Sequence, residues 1–324
     1  MNSKSQGLIA TFVAVSTVAT PTRRALKKRT VDTYLLWIRK FFSFTGRKPA
    51  AQWTGEDVQR FLWWMHTQDY APKSRRQVLC ALVYVFRHVL RVDVGALNLP
   101  SMPKEKKTVK IIPTRQEVAR IMAGLRGQAK VMAGLLYGAG LRVSECCELR
   151  VKDVDLEAGT IRVHGGKGDK DRLTVLPQAM RAALVAQMQW RAGLHDRDLA
   201  DGAGFVDLPG RMAIKSPRAA RDLRWQFLFP STVLRGQRRW HTTPESIQKA
   251  LRIAVHAAGI TKLVTPHTLR HAFCTHALRA GNDMATVQDL MGHDDPATTM
   301  IYAHGDYARG VSPMDAADLV PVLV

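Results

Sequence analysis

The chain carries only four cysteines in 324 residues, Cys80, Cys146, Cys147 and Cys274, and no two of them form a C-x-x-C pair. That excludes a disulfide framework and a zinc ribbon, and predicts reduced core thiols in a cytoplasmic protein. Long apolar runs are missing as well. The mostly apolar stretch Leu8 to Ala19 faintly resembles a signal peptide behind Lys4, but it is far too short to span a bilayer. Residues 1–20 are therefore expected to form a loose tail, or one that docks on a neighbour. Neither a G-x-x-x-x-G-K-[ST] nor an H-E-x-x-H pattern occurs, which removes nucleotide cradling and zincin chemistry. Acidic residues are scarce: 27 Asp and Glu stand against 48 Lys and Arg, a formal net charge of +21. That excess is spread along the chain and points to a polyanionic partner. With no basic amphipathic helix bearing a long apolar face, DNA or RNA is favoured over a membrane surface.

What is present suffices for two cores, since 46% of the residues are hydrophobic. From Arg29 to Phe44 the apolar residues Val31, Tyr34, Leu35, Ile38, Phe41 and Phe42 recur at helical spacing, and Gly46 and Pro49 end the run. Thr54 with Asp57 starts a second helix and Pro72 a third. Basic residues open these helices: Lys27 and Lys28, then Lys73, Arg75 and Arg76. They are candidate contacts to a nucleic-acid backbone. Residues 21–99 thus read as a small helical DNA-binding domain, and 100–113, with Pro100, Pro103 and Lys104 to Lys107, as a linker.

The second domain, 114–324, opens on the capping box Thr114-x-x-Glu117. An apolar helix through Met132, Leu135, Leu136 and Tyr137 breaks at Gly138 and Gly140, and Ser144 is placed to cap the helix that follows. Thr160 to His164 and Arg172 to Leu176 alternate around a Gly-rich centre, which predicts a β-hairpin with Lys167 at or near its tip. Pro177 to Arg191 reads as a helix. Residues 193–231 form a long Gly, Asp and Arg-rich segment ending in Trp225-Gln226-Phe227-Leu228-Phe229, with Trp240 and His241 just beyond. Arg interleaved with Trp and His suits the stacking of splayed bases, whereas Phe227 and Phe229 read as core. The expected fold is mainly α with a small β-sheet or hairpin.

Thr265 and Pro266 read as the N-cap and first residue of a helix whose first turn carries His267 and Arg270 together. Backbone N–H groups and two cationic side chains make such a turn an anion site. Gly292 is expected to end the next helix in a left-handed conformation and release His293, and a helix restarted at Asp295-Pro296 carries Tyr302. A metal pair at His267 and His271 is disfavoured because no Glu lies between them, and Cys274 and His276 are too close to help. Phosphoryl transfer through a covalent intermediate needs a nucleophile, cations on the non-bridging oxygens, and an acid for the leaving alkoxide. Tyr302 can attack, Arg142 and Arg270 can fork onto the phosphate, His267 and His293 can donate, and Lys167 can protonate a leaving 5′-oxygen. No carboxylate cluster of the two-metal kind lies near them in sequence, so neither metal nor cofactor is expected.

The series Gly140-Leu141-Arg142 with Glu145, Gly166-Lys167-Gly168, His267-x-x-Arg270-His271, Gly292-His293 and Tyr302 resembles the tyrosine site-specific recombinases over the whole chain. That resemblance implies a core-binding domain and a mixed α/β catalytic domain closing as a C-shaped clamp on DNA. It also implies a 3′-phosphotyrosine intermediate, a free 5′-hydroxyl, and strand exchange in a homotetramer through a Holliday junction. Among them the chain is most similar to integron integrases, in the insertion from Leu208-Pro209 to Phe229-Pro230 and in Ser312-Pro313-Met314-Asp315. The likeness implies gene-cassette recombination on a duplex site and on folded single-stranded hairpin sites, with Pro209, Trp225, Trp240 and His241 as base contacts. Trp240-His241 stands where a pair of histidines is expected. Two other readings stay open: a phage-type or chromosome-dimer-resolving recombinase, and a non-catalytic DNA-binding repressor or architectural protein.

Overall fold

A computed structural model describes residues 3–19, 25–26, 28–92, 111–165 and 171–292. They fall into two units, divided between Val109 and Lys110. The first holds four helices: α1 (Ser3–Thr17), α2 (Lys28–Phe44), α3 (Gly55–Thr67) and α4 (Pro72–Tyr84), the last continuing as a π-helical turn over Val85–Leu90. Their apolar stripes meet in one core in which Val31, Ile38, Phe41, Phe61, Leu82 and Phe86 are almost wholly buried. Thr54 caps α3 as its spacing predicts: Asp57 N–H donates to Thr54 Oγ1, and the Thr54 N–H donates back to Asp57 Oδ2 at 3.0 Å.

The N-terminal stretch corrects its sequence reading. Residues 3–17 are a helix of the first unit, with Phe12 fully buried and edge-on to Tyr84. Its apolar residues lack a clear helical period, so the burial that stabilises it was not visible in the pattern. Cys80 is a second correction, because it is exposed on α4 while Cys146, Cys147 and Cys274 are buried.

The second unit is built on α6 (Gly127–Gly138), apolar on every side and packed against α11 (Pro266–Arg279). Around them lie α5 (Arg115–Gly124), capped by Thr114 and Glu117, and α7 (Val143–Glu148). The strands β1 (Val154–Asp155), β2 (Thr160–Val163) and β3 (Arg172–Val175) form one antiparallel sheet in the order β1-β2-β3. The β2–β3 register pairs Thr160 with Val175 and Val163 with Arg172, which puts Ile161, Val163 and Thr174 in the interior. After α8 (Arg181–Ala200) come a short α9 (Met212–Lys215) and a two-stranded ribbon of β4 (Pro230–Arg235) and β5 (Arg238–His241). Helices α10 (Pro244–Ala257), α11 and α12 (Met284–Met291) complete the described part. None of the described helices is long and apolar enough to cross a membrane.

Two local expectations change here. Ser144 is inside α7 and does not cap it; Arg142 takes the cap position, its N–H donating to the Glu145 carboxylate at 2.7 Å. Helix α8 runs past Gly193 to Ala200, so the first eight residues of the segment 193–231 are helical. A mid-helix glycine costs only about 1 kcal/mol, and α8 is held by its buried residues Arg191, His195 and Asp198.

Candidate active site

Two left-handed glycines shape this site. Gly140, at φ +64°, turns the chain between α6 and α7, and a Cβ there would come within 2.6 Å of the Phe273 ring. Gly292, at φ +61°, closes α12, where a Cβ would meet the Arg172 side chain at 2.9 Å. The α11 N-terminus forms as its spacing predicts, with Thr268 N–H donating to Thr265 Oγ1 at 3.2 Å. Its first turn holds His267 exposed and Arg270 buried.

Three arginines converge on one carboxylate. Arg142 Nη1 is 2.5 Å from Glu145 Oε1, and Arg172 bonds both Glu145 oxygens at 2.9 and 2.7 Å. Arg270 Nη1 stands 3.7 Å from Glu145 Oε2. The same three reach the last carbonyls of α12. Arg172 Nε donates to Leu290 O at 3.0 Å, Arg270 Nη2 to Met291 O at 2.6 Å, and Arg142 Nη2 to Gly292 O at 2.9 Å. Cations at a helix C-terminus satisfy orphan carbonyls and the negative end of its dipole. Three guanidiniums against one carboxylate leave a net positive cluster, suited to a phosphate. Burial, with the charge of Arg142, lowers the Arg270 pKa to about 9, which keeps it charged at neutral pH.

Burial alone would raise the Glu145 pKa. The hydrogen bonds and charge of Arg172, with the bonds from Arg142, outweigh it and hold the carboxyl at about 2. A depressed carboxylate stabilises the fold above its unfolded pKa, and that contribution fades as pH falls from about 4.5 toward 2. Glu145→Gln is therefore expected to lose about 3 kcal/mol of unfolding free energy at pH 7 and much less near pH 2. Urea unfolding of both proteins at the two pH values measures this. A deficit independent of pH would assign the loss to packing.

Arg172 is the member that sequence reading missed as a site residue, taking it only as the start of a strand. At the neck of the same hairpin Gly165 N–H donates to Asp171 Oδ1 at 3.1 Å. His164 lies between Asp171, 2.8 Å from Nδ1, and buried Asp153, 3.0 Å from Nε2. Lys167, His293 and Tyr302 lie outside the described residues, as does Lys27. The rings of His267 and His271 meet edge-on at 5.2 Å, and His276 Nδ1 bonds the buried Tyr137 hydroxyl at 2.9 Å.

A cavity of about 470 Å³ lies beside this cluster, with Glu145 in its wall. Pro209, Trp225, Trp240 and His241, singled out from three places in the sequence, all line it. The Trp240 and His241 rings are 4.9 Å apart, and both meet the edge of buried Phe227. Lys152 Nζ lies 4.5 Å over the Trp225 ring. Phe227 and Phe229 are core residues, as expected. In the first unit Lys28, Lys73 and Arg76 are exposed and Arg75 is half-buried.

Residues 102–309, more than half of the chain, match the model of the phage integrase family. The chain belongs to the phage integrase family. Its residues 16–96 match that family's N-terminal SAM-like domain. An integrase/recombinase from Escherichia coli is 39% identical over 302 residues, covering 91% of this chain and 90% of the relative. The tyrosine recombinase XerA of Thermococcus kodakarensis is 31% identical over 276 residues, covering 84% and 83%. In fold the chain is similar to a lambda integrase dimer bound to a core site, with a TM-score of 0.63 at 13% identity over 94% of this chain and 98% of that one. This integrase is accordingly a tyrosine recombinase, an enzyme of DNA strand exchange.

Proposed function

We propose that this recombinase is an integron integrase, which integrates and excises gene cassettes by acting on folded single-stranded hairpin sites and on a duplex site. Tyr302 Oη attacks the scissile phosphorus and loses its proton to solvent, and the bond to the 5′-oxygen breaks. Lys167 gives that oxygen a proton, leaving a 3′-phosphotyrosine and a free 5′-hydroxyl. Arg142, Arg270, His267 and His293 hold the non-bridging oxygens, while Glu145 braces the arginines. Attack by the 5′-hydroxyl of another strand reverses the chemistry, and four copies on DNA complete the exchange through a Holliday junction. Lys27, Lys28, Lys73, Arg75 and Arg76 contact the DNA backbone.

The observation that supports the finer assignment is the cavity. A duplex reader takes sequence from groove edges and needs no aromatic hollow beside its reaction centre. A folded single strand offers unpaired bases, each worth about 1–3 kcal/mol when stacked on an aromatic plane. An imperfect hairpin with bulged bases is therefore expected to bind more tightly than the same sequence as a perfect duplex. Trp225→Ala with His241→Ala should erase most of that preference, with much less change in duplex affinity. Titrations at one fixed salt concentration test it, since the charge contribution otherwise dominates. Equal affinities in the wild type would favour a duplex-acting recombinase instead.

A further inference from the structure

The pocket walls come from segments far apart in the chain, and something must set the gap between them. Trp225 ends a short 3₁₀ turn, and Pro209 follows an irregular stretch beginning at Gly202. Neither belongs to the three-stranded sheet or to a long helix. Behind Trp225, buried Arg191 of α8 donates to Phe227 O at 3.0 Å and to Gln226 Oε1 at 2.9 Å. Chain pairing adds to this: Val151 N–H donates to Gln226 O at 3.0 Å, and Leu228 N–H to Leu149 O at 2.8 Å. These contacts fix the run from Gln226 to Leu228. Gln226 Nε2 donates to Gly204 O at 3.0 Å and Arg238 pairs with Asp207, which anchors the run toward Pro209 at two points, and one further group bridges the Trp225 and Asp207 carbonyls directly.

That group is Arg150, two residues beyond α7. Its Nη1 donates to Trp225 O at 2.5 Å and its Nη2 to Asp207 O at 2.9 Å. The guanidinium also lies 4.6 Å from the Phe227 ring centre and 5.8 Å from that of Trp225. Its own main chain is held by Asp153, whose Oδ2 accepts from Arg150 N–H at 2.9 Å. A planar fork with separate donors suits two carbonyls from different segments, whereas an ammonium is a point charge without that geometry.

We propose that Arg150 positions the base pocket, because one guanidinium ties the segment bearing Trp225 to the segment bearing Pro209 and so fixes the gap between them. This rests on reading the cavity as a base-stacking site. Arg150 also ties the pocket to the catalytic centre in sequence, since Arg142 caps the start of α7 and α7 ends at Glu148, two residues before it. Positioning, and not charge, is the role assigned.

The test uses the full chain with Arg150→Lys and Arg150→Gln, beside Trp225→Ala with His241→Ala. The probe is the imperfect hairpin with 2-aminopurine at one bulged position, compared with the perfect duplex at fixed salt. Arg150→Lys keeps the charge and is expected to lower the hairpin-over-duplex preference roughly tenfold, the order of one lost base stack. Quenching of the 2-aminopurine on binding should weaken in parallel, while duplex affinity falls far less. Retained preference in Arg150→Lys, with Arg150→Gln weakening hairpin and duplex alike, would make Arg150 a backbone contact and overturn the proposal. Loss of duplex cleavage in both variants would make it a folding residue and overturn it equally. If the Trp225 and His241 double variant keeps the full preference, the base-pocket reading itself fails, and the role of Arg150 with it.

Discussion

Tyr302→Phe is expected to form no covalent protein–DNA adduct on a nicked suicide substrate, with EDTA present throughout, while binding that DNA with near-normal affinity. The substitution removes one oxygen, the atom assigned to attack phosphorus, and keeps the aromatic ring. Affinity should survive because it comes mainly from Lys and Arg meeting phosphates, none of which is altered. The cationic cluster is held by described residues alone: Arg142, Arg172 and Arg270 are bonded to Glu145 or to the end of α12, eleven residues before Tyr302 in the sequence. Gel separation under denaturing conditions reads the adduct directly. An adduct surviving in the variant, or a strict magnesium requirement in the wild type, would sink the assignment.

Lys167→Ala is expected to slow cleavage of ordinary DNA by roughly 10²–10⁴-fold, the usual contribution of a general acid. That range corresponds to about 3–5 kcal/mol of barrier. An alkoxide is a poor leaving group and needs its proton as the bond breaks. Sulfur at the 5′-bridging position leaves without one, so that substrate should restore most of the lost rate. The described neck of the hairpin is closed by Asp171, which is bonded to both Gly165 and His164. Single-turnover rates on both substrates settle the point. A variant equally slow on oxygen and sulfur would move the acid elsewhere, with Lys170 next to be tested.

Much of the frame was legible because its signals are local. Thr54, Thr114 and Thr265 each cap the helix their spacing foretells, and Gly292 adopts the left-handed end expected of it. Capping depends on three or four consecutive residues, so the sequence carries all the information it needs. The hairpin pairing of Thr160–Val163 with Arg172–Val175 was visible for a similar reason. What escaped was set by distance. Arg172 meets Glu145 from 27 positions away, and no spacing rule joins a strand residue to the first turn of an earlier helix. The length of α8 was misjudged because Gly193 looks like a breaker until Arg191, His195 and Asp198 are seen to be buried. Ser144 lost the cap to Arg142 because the Glu145 carboxylate captured the Arg142 N–H first.

That extended α8 bears on whether the segment proposed to read unpaired bases could be transplanted. Asp198 receives both arms of Arg239, at 2.6 and 2.5 Å, and so roots the strand that leads to Trp240 and His241. Arg191 roots the run after Trp225 from the same helix. Both contacts are buried, and removing one partner of the Asp198–Arg239 ion pair costs several kcal/mol. Residues 201–241 are therefore not a cartridge. A graft onto another recombinase scaffold would have to carry the last turns of α8 along with Arg150, or the aromatic side chains would arrive without the footing that aims them.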